Sequence, residues 1–138
     1  MAGELSQAGA NRALQAGLGL AVTAQSVYLA LATATPANPD TATLSDWATV
    51  EVSDTGYARQ TVSWTSPTGD PSSMQNSQAI TFGPFSGDPP QITHCFLCTA
   101  SSGTTGDVLA WWQLTTAKDP GPGDQLQFNA GDLVMTLD

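Results

Sequence analysis

Cations are almost absent from this chain. Its 138 residues hold three, Arg12, Arg59 and Lys118, against twelve carboxylates, for a formal net charge of −9. A surface of that sign repels phosphate backbones and anionic headgroups, so neither nucleic acid nor a membrane is an expected partner. Charge of either sign is scarce, at 11% of residues against roughly 25% in ordinary globular domains. With 41% hydrophobic residues, the chain also lacks the composition of a disordered protein, which combines low hydrophobicity with dense charge. Long apolar runs are missing as well. The longest, residues 18–24, is broken by Gly19 and Thr23 and has no basic cluster before it, so neither a membrane span nor a secretory leader is read from it. There is no internal repeat.

Reactive side chains are equally few. The single histidine, His94, and both cysteines, Cys95 and Cys98, fall in one stretch. A structural zinc site needs four ligands and usually two such knuckles, and only one is present. On a strand, residues three apart face opposite sides at roughly 10 Å, beyond the reach of a disulfide, which needs Cα atoms within about 7 Å. The two cysteines therefore read as small apolar residues. No Gly-x-Ser-x-Gly elbow occurs. Adjacent strand residues diverge, which separates His94 from Cys95 as a nucleophile pair. The aspartates sit mostly at turns, where they serve as turn formers. No catalytic residue, metal ligand or cofactor is read from the sequence, and the chain is not expected to be an enzyme.

What fills the space is Thr, Ser, Ala, Gly and Pro, with thirteen glycines and nine prolines. At 14.2 kDa a folded chain would expose about 6,800 Å² of roughly 20,600 Å² in the extended state, enough burial for a core without staples. Apolar residues Ala10, Leu14, Leu18 and Ala21 or Val22 recur at spacings of three and four, predicting a helix over residues 4–24 with one narrow apolar stripe. Gly9, Gly17 and Gly19 weaken it. Such a helix needs a surface, either its own sheet or a neighbouring subunit, which marks Leu14 and Leu18 as candidate contacts.

Strands are predicted at residues 26–33, 57–64, 78–82, 91–99 and 107–116, with a final hairpin of residues 125–128 and 133–137 around the 129–132 turn. Residues 45–48 form a short helical turn capped by Ser45 and carrying Trp47. The 65–77 segment reads as a long polar loop. Together these predict a mainly β fold: a single antiparallel β-sandwich or small barrel with one N-terminal helix. Residues 1–25 form a helical docking segment and residues 26–138 the β-sandwich domain. The expected core is Val27, Leu29, Leu31, Val62, Trp64, Ile80, Phe82, Ile92, Phe96, Leu109, Leu114, Phe128, Leu133 and Leu137.

Five further positions stand out. Arg59, the one mid-chain cation, has Glu51 and Asp54 just upstream; it either pins the 54–56 turn to the sheet or makes an inter-subunit contact. Tyr57 shares its strand face. Trp111 and Trp112 are neighbours on a strand, so one points outward unless both sheet faces are covered, and an outward Trp marks a protein interface or a sugar-stacking platform. Trp47 is a second contact candidate.

Several stretches resemble small virion proteins of tailed bacteriophages, in particular those of actinobacterial phages and prophages described as tail fibre, minor structural or capsid decoration proteins. The resemblance runs through residues 27–34, with Pro36 after them, and through Glu51-Val52 leading to Gly56-Tyr57-Ala58-Arg59-Gln60. Asn76-Ser77 precedes Ile80-Thr81-Phe82, Ile92-Thr93-His94 leads to residues 100–103, and Leu109-Ala110-Trp111 and residues 123–133 follow. The Gly-Tyr-Ala-Arg-Gln block is the most specific piece, and Cys95 and Cys98 depart from the pattern. The resemblance implies a non-catalytic structural protein made in the host cytoplasm and carried on the virion exterior, first as a capsid decoration protein, alternatively as a minor tail or tail-fibre component. It implies partners among virion proteins, the major capsid protein or tail proteins, and a homo-oligomer such as a trimer. A carbohydrate-binding β-sandwich is the reading from another class.

Overall fold

The computed structural model describes residues 1–137. Nine strands and two helices follow in the order β1 (Glu4–Leu5), α1 (Gln7–Gly17), β2 (Tyr28–Ala32), α2 (Leu44–Ala48), β3 (Gln60–Thr61), β4 (Ser72–Gln75), β5 (Ile80–Phe82), β6 (Ile92–Cys98), β7 (Val108–Lys118), β8 (Leu126–Phe128) and β9 (Val134–Leu137). The main sheet has the order β1-β7-β6-β2-β3, and β4-β9 and β5-β8 form two small sheets. Every pair of named strands is antiparallel. The fold is mainly β, and no closed barrel forms among the described residues.

The main sheet is covered on both faces. Leu29 and Leu31 of β2, Cys95 and Leu97 of β6 and Trp112 of β7 join Ile80, Phe82, Leu126, Phe128 and Met135 from the small sheets in the larger core. On the other face, Ala30, Ala32, Phe96, Cys98 and Val108 pack with Leu44 and Trp47 of α2. The small side chains of Ala30 and Ala32 leave room for the Trp47 indole, whose ring centroid lies 4.8 Å from that of Phe96. A sheet buried on both sides cannot show a clean polar–apolar alternation, which is why Ala30, Ala32, Cys98 and Trp47 were absent from the expected core. Of the residues expected there, Leu137 is exposed, and Val27, Trp64 and Leu109 are only half-buried.

The N-terminal segment departs from its predicted form. Glu4–Leu5 pairs with β7, and α1 runs only from Gln7 to Gly17. Ser6 caps it, accepting from the Gly9 amide at 3.0 Å and donating to the Val108 carbonyl. Gly9 is the one buried residue of the helix, and a Cβ there would come within 2.1 Å of the Leu109 carbonyl. Gly9 therefore sets how closely α1 approaches β7. Gly19, at φ +82°, stops the helix.

Four further expectations are corrected. Of the strand predicted over residues 57–64, only Gln60–Thr61 enters a ladder, because residues 50–52 occupy the remaining length of the β2 edge through an Ala32–Glu51 bridge. The 65–77 segment contains β4, a polar strand whose signal lies in its partner β9. Residues 125–137 do not make a hairpin: β8 pairs with β5 and β9 with β4. The segments 72–82 and 126–137 thus form one antiparallel ribbon whose register slips by one residue between Gln75↔Val134 and Ile80↔Phe128. Finally, Thr43 caps α2, with a reciprocal bond from its own backbone amide to Asp46, in place of Ser45.

Asn76 fills the slip in the ribbon. Fully buried, it donates from Nδ2 to the carbonyls of Gln78 at 2.8 Å and Asn129 at 2.9 Å, and its Oδ1 accepts from the Leu133 amide at 2.9 Å. Backbone groups that lost their ladder partners are satisfied by one side chain.

Candidate functional site

The outer edge of β2 is completed by side chains. Gln60–Thr61 covers Tyr28 and Leu29, while the Val52 amide bonds to the Leu31 carbonyl at 2.9 Å and the Thr33 amide to the Val50 carbonyl at 2.9 Å. The Leu31 amide falls in the gap between these two segments. It donates to the Tyr57 hydroxyl at 3.0 Å, which donates to Glu51 Oε1 at 2.8 Å. Arg59 closes the chain with Nε to Glu51 Oε1 at 2.8 Å and Nη2 to Oε2 at 2.7 Å. Its Nη1 also donates to the Ala100 carbonyl at 3.0 Å, and its Nη2 to the Gly103 carbonyl at 2.9 Å, so the 100–103 loop is tied to the same group. The Arg59 and Glu51 side chains are 4% and 13% exposed. Burial, with the Glu51 charge behind it, pushes the Tyr57 phenol well above its usual pKa and keeps it a donor.

Asp54 belongs to a different connection. Its carboxylate accepts from Gly56 N at 2.7 Å, Ser86 N at 2.9 Å, Ser86 Oγ at 2.9 Å and Gly87 N at 2.8 Å. The Ser86 amide leads in lowering its pKa to about 2, partly offset by burial. The Asp54 turn is therefore held to the 86–87 loop, and among the described residues Arg59 makes its ion pair with Glu51 alone.

The tryptophans are accounted for inside the fold. Trp112 is buried and donates to the Val134 carbonyl at 3.1 Å, and Trp64 stacks on it with ring centroids 6.2 Å apart. Trp111 is half-buried and donates to Asp40 Oδ1 at 3.1 Å. Trp47, read from sequence as a contact residue, is fully buried, and its indole N–H has no partner among the described residues. Neither Trp111 nor Trp112 is a freely exposed stacking platform.

Cys95 and Cys98 are free thiols buried on opposite faces of the main sheet, Cys95 in the larger core and Cys98 in the α2 cluster. Burial raises both thiol pKa values. His94 Nδ1 lies 2.7 Å from Thr93 Oγ1, and burial lowers its pKa. No group of three or more His, Cys, Asp or Glu side chains is placed to hold a metal ion among the described residues. No helix of those residues is long and apolar enough to cross a membrane.

The helical stripe behaves differently from the rest of the apolar residues. Leu14 and Leu18 are 62% and 79% exposed, and α1 meets β7 through Gly9 instead. Beside α1 lies an apolar groove of about 530 Å³, lined among others by Leu5, Val27, Trp64, Met74 and Met135. Sequence reading missed this groove because its walls come from well-separated segments. The one available signal was the narrow apolar stripe of a glycine-weakened helix, which needs a surface to lie against.

Residues 4–136 match the model of a family described as podophage GP4 fiber I protein gp80. The chain belongs to this family. It is a structural phage protein of fibre type, and the match spans the main sheet, both small sheets and α1. No curated protein matches the sequence.

Proposed function

We propose that the chain is a non-catalytic structural subunit of an external tail fibre of a short-tailed phage. The observation that carries this reading is the family match over residues 4–136. The side-chain chemistry agrees with it. The cation-poor surface offers nothing to nucleic acid. The Arg59–Glu51 pair and the Asp54 clasp are engaged in holding loops to the sheet.

The partners are other virion proteins, with tail proteins placed before the major capsid protein, and the subunit acts as a homo-oligomer on the particle exterior. The fibre reading is preferred to capsid decoration because the matched family is named for a fibre. The carbohydrate-binding reading is the weakest, since Trp47 and Trp112 are buried and Trp64 and Trp111 are engaged in stacking or hydrogen bonding.

Immunogold labelling of intact particles, with copy number read from quantitative gels of purified virions, tests the proposal. Gold at the tail with few copies per particle is expected. Label spread over the head with hundreds of copies would replace the fibre reading with capsid decoration.

A further inference from the structure

Exposed large apolar side chains are confined to two places among the described residues. Leu14, Leu18, Leu20 and Val22, at 62%, 79%, 62% and 37% exposure, follow one another from the end of α1 into the segment beyond it, and Leu137 at 54% lies at the far end of β9. Both places adjoin the apolar groove, since Ala13, Gln25, Val27 and Leu137 are among its lining residues. Contiguous apolar surface of this kind on a soluble chain marks a contact site.

Two observations argue for what covers it. Residues 13–27 contain no charged side chain in a chain of net charge −9. Of the groove's lining residues only Arg12 is charged, and it is paired with Asp107 at 2.8 Å. Copies of this protein repel one another over most of their surface, and the arm and the groove are where two can meet without opposing carboxylates. Second, beyond the Leu20 amide, which bonds to the Gln15 carbonyl at 2.9 Å, the backbone of residues 21–26 makes no hydrogen bond among the described residues, so no ladder fixes the end of the arm.

We propose that the uncharged arm, residues 14–22, of one copy packs its leucines into the groove beside α1 of a second copy. This goes further than the fibre reading by naming the self-association surface, and it rests on that reading only for the expectation that copies assemble. Leu14, Leu18 and Leu20 supply the inserted side chains, and Trp64, Met74 and Met135 supply walls that adapt to them. Arg12, at the rim and already neutralised by Asp107, adds no charge penalty.

Sedimentation velocity of the full chain from about 1 to 100 µM, spanning the usual range of weak self-association, provides the test. Wild type is expected to assemble with concentration. Leu14→Ser/Leu18→Ser, at two exposed positions, is expected to weaken assembly by about a hundredfold or more with unchanged circular dichroism. In a mixing experiment, Leu18→Cys protein and Ser73→Cys protein are oxidised separately and together. A disulfide-linked dimer confined to the mixture supports an arm seated in a neighbour's groove, and the native cysteines are buried and silent. A wild type that stays monomeric, a double serine variant that assembles normally, or a mixture without cross-link would each overturn the proposal. None of these results alters where the protein is found on the particle, so the fibre reading stands or falls separately.

Discussion

Replacing Glu51 by Gln tests whether the β2 edge is held by a buried charge pair. The substitution keeps the side-chain shape and removes the charge, turning one carboxylate oxygen into an amide NH₂ that faces the Arg59 guanidinium. With Arg59 4% exposed, water cannot replace the lost partner. Removing one member of a buried ion pair costs about 3–5 kcal/mol, where a surface pair would cost about 0–1 kcal/mol. For a chain of this length about 3 kcal/mol lowers the melting temperature by about 10–15 °C. Arg59→Met is expected to fall in the same range, because Glu51 is then left without its cation and the carbonyls of Ala100 and Gly103 lose their donor. Combining Glu51→Leu with Arg59→Met removes both charges, so the double variant should be more stable than Glu51→Leu alone. Urea unfolding followed by tryptophan fluorescence measures all of these, with oligomer state checked in parallel. Losses below about 1 kcal/mol for both single variants would refute the argument by showing that water satisfies the pair.

Two other perturbations follow from side chains that satisfy backbone groups outside the ladders. Asn76→Ala orphans the Leu133 amide and the carbonyls of Gln78 and Asn129 at a fully buried position, so a loss of about 3 kcal/mol is expected in the same unfolding assay; a loss under about 1 kcal/mol would mean that the ribbon closes without it. The Asp54 carboxyl, lowered from the usual aspartate range to about 2, contributes stability that is complete above its unfolded value and lost as the pH falls towards 2. Asp54→Asn should therefore be less stable than wild type at neutral pH, with the difference shrinking between pH 4 and 2; a constant difference across that range would show that the charge is irrelevant.

Much of the fold was legible where side chains alternate against one core. β5 and β7 match their predicted spans within two residues because Ile80, Phe82 and Leu114 follow the strand period on the larger core, and β6 matches through its run of apolar residues, with Ile92 in that core and Phe96 on the other face. Legibility failed where partners distant in sequence decide the outcome. β4 is Ser-Ser-Met-Gln, a strand only because β9 pairs with it, and β8 and β9 separate because Asn76 tethers the turn between them. The 57–64 segment has strand propensity throughout, yet Tyr57 and Arg59 leave the ladder to bond Leu31 and Glu51. The network's members Glu51, Tyr57 and Arg59 could be named from composition. Its geometry could not, since the Ala100 and Gly103 carbonyls are contributed from more than forty residues away.

The contrast between the β2 edge and the arm bears on how such a subunit assembles. An open strand edge offers unsatisfied amides and carbonyls to any extended chain, and pairing there is indifferent to sequence. Here the β2 edge is occupied by two short segments, and the amide between them is taken by the Tyr57 hydroxyl, leaving Glu51 and Arg59 to hold that hydroxyl in place. Adding a strand at this edge would first have to break a buried ion pair. The arm and groove carry the opposite arrangement: exposed apolar side chains on a stretch without charge, and no backbone hydrogen bond over residues 21–26 among the described residues. Association through side chains is selective, because only a partner with matching shape and no opposing carboxylates gains by it. The proposed assembly through the arm requires both properties, since an open edge would pair without regard to sequence where the arm and groove would pair in register.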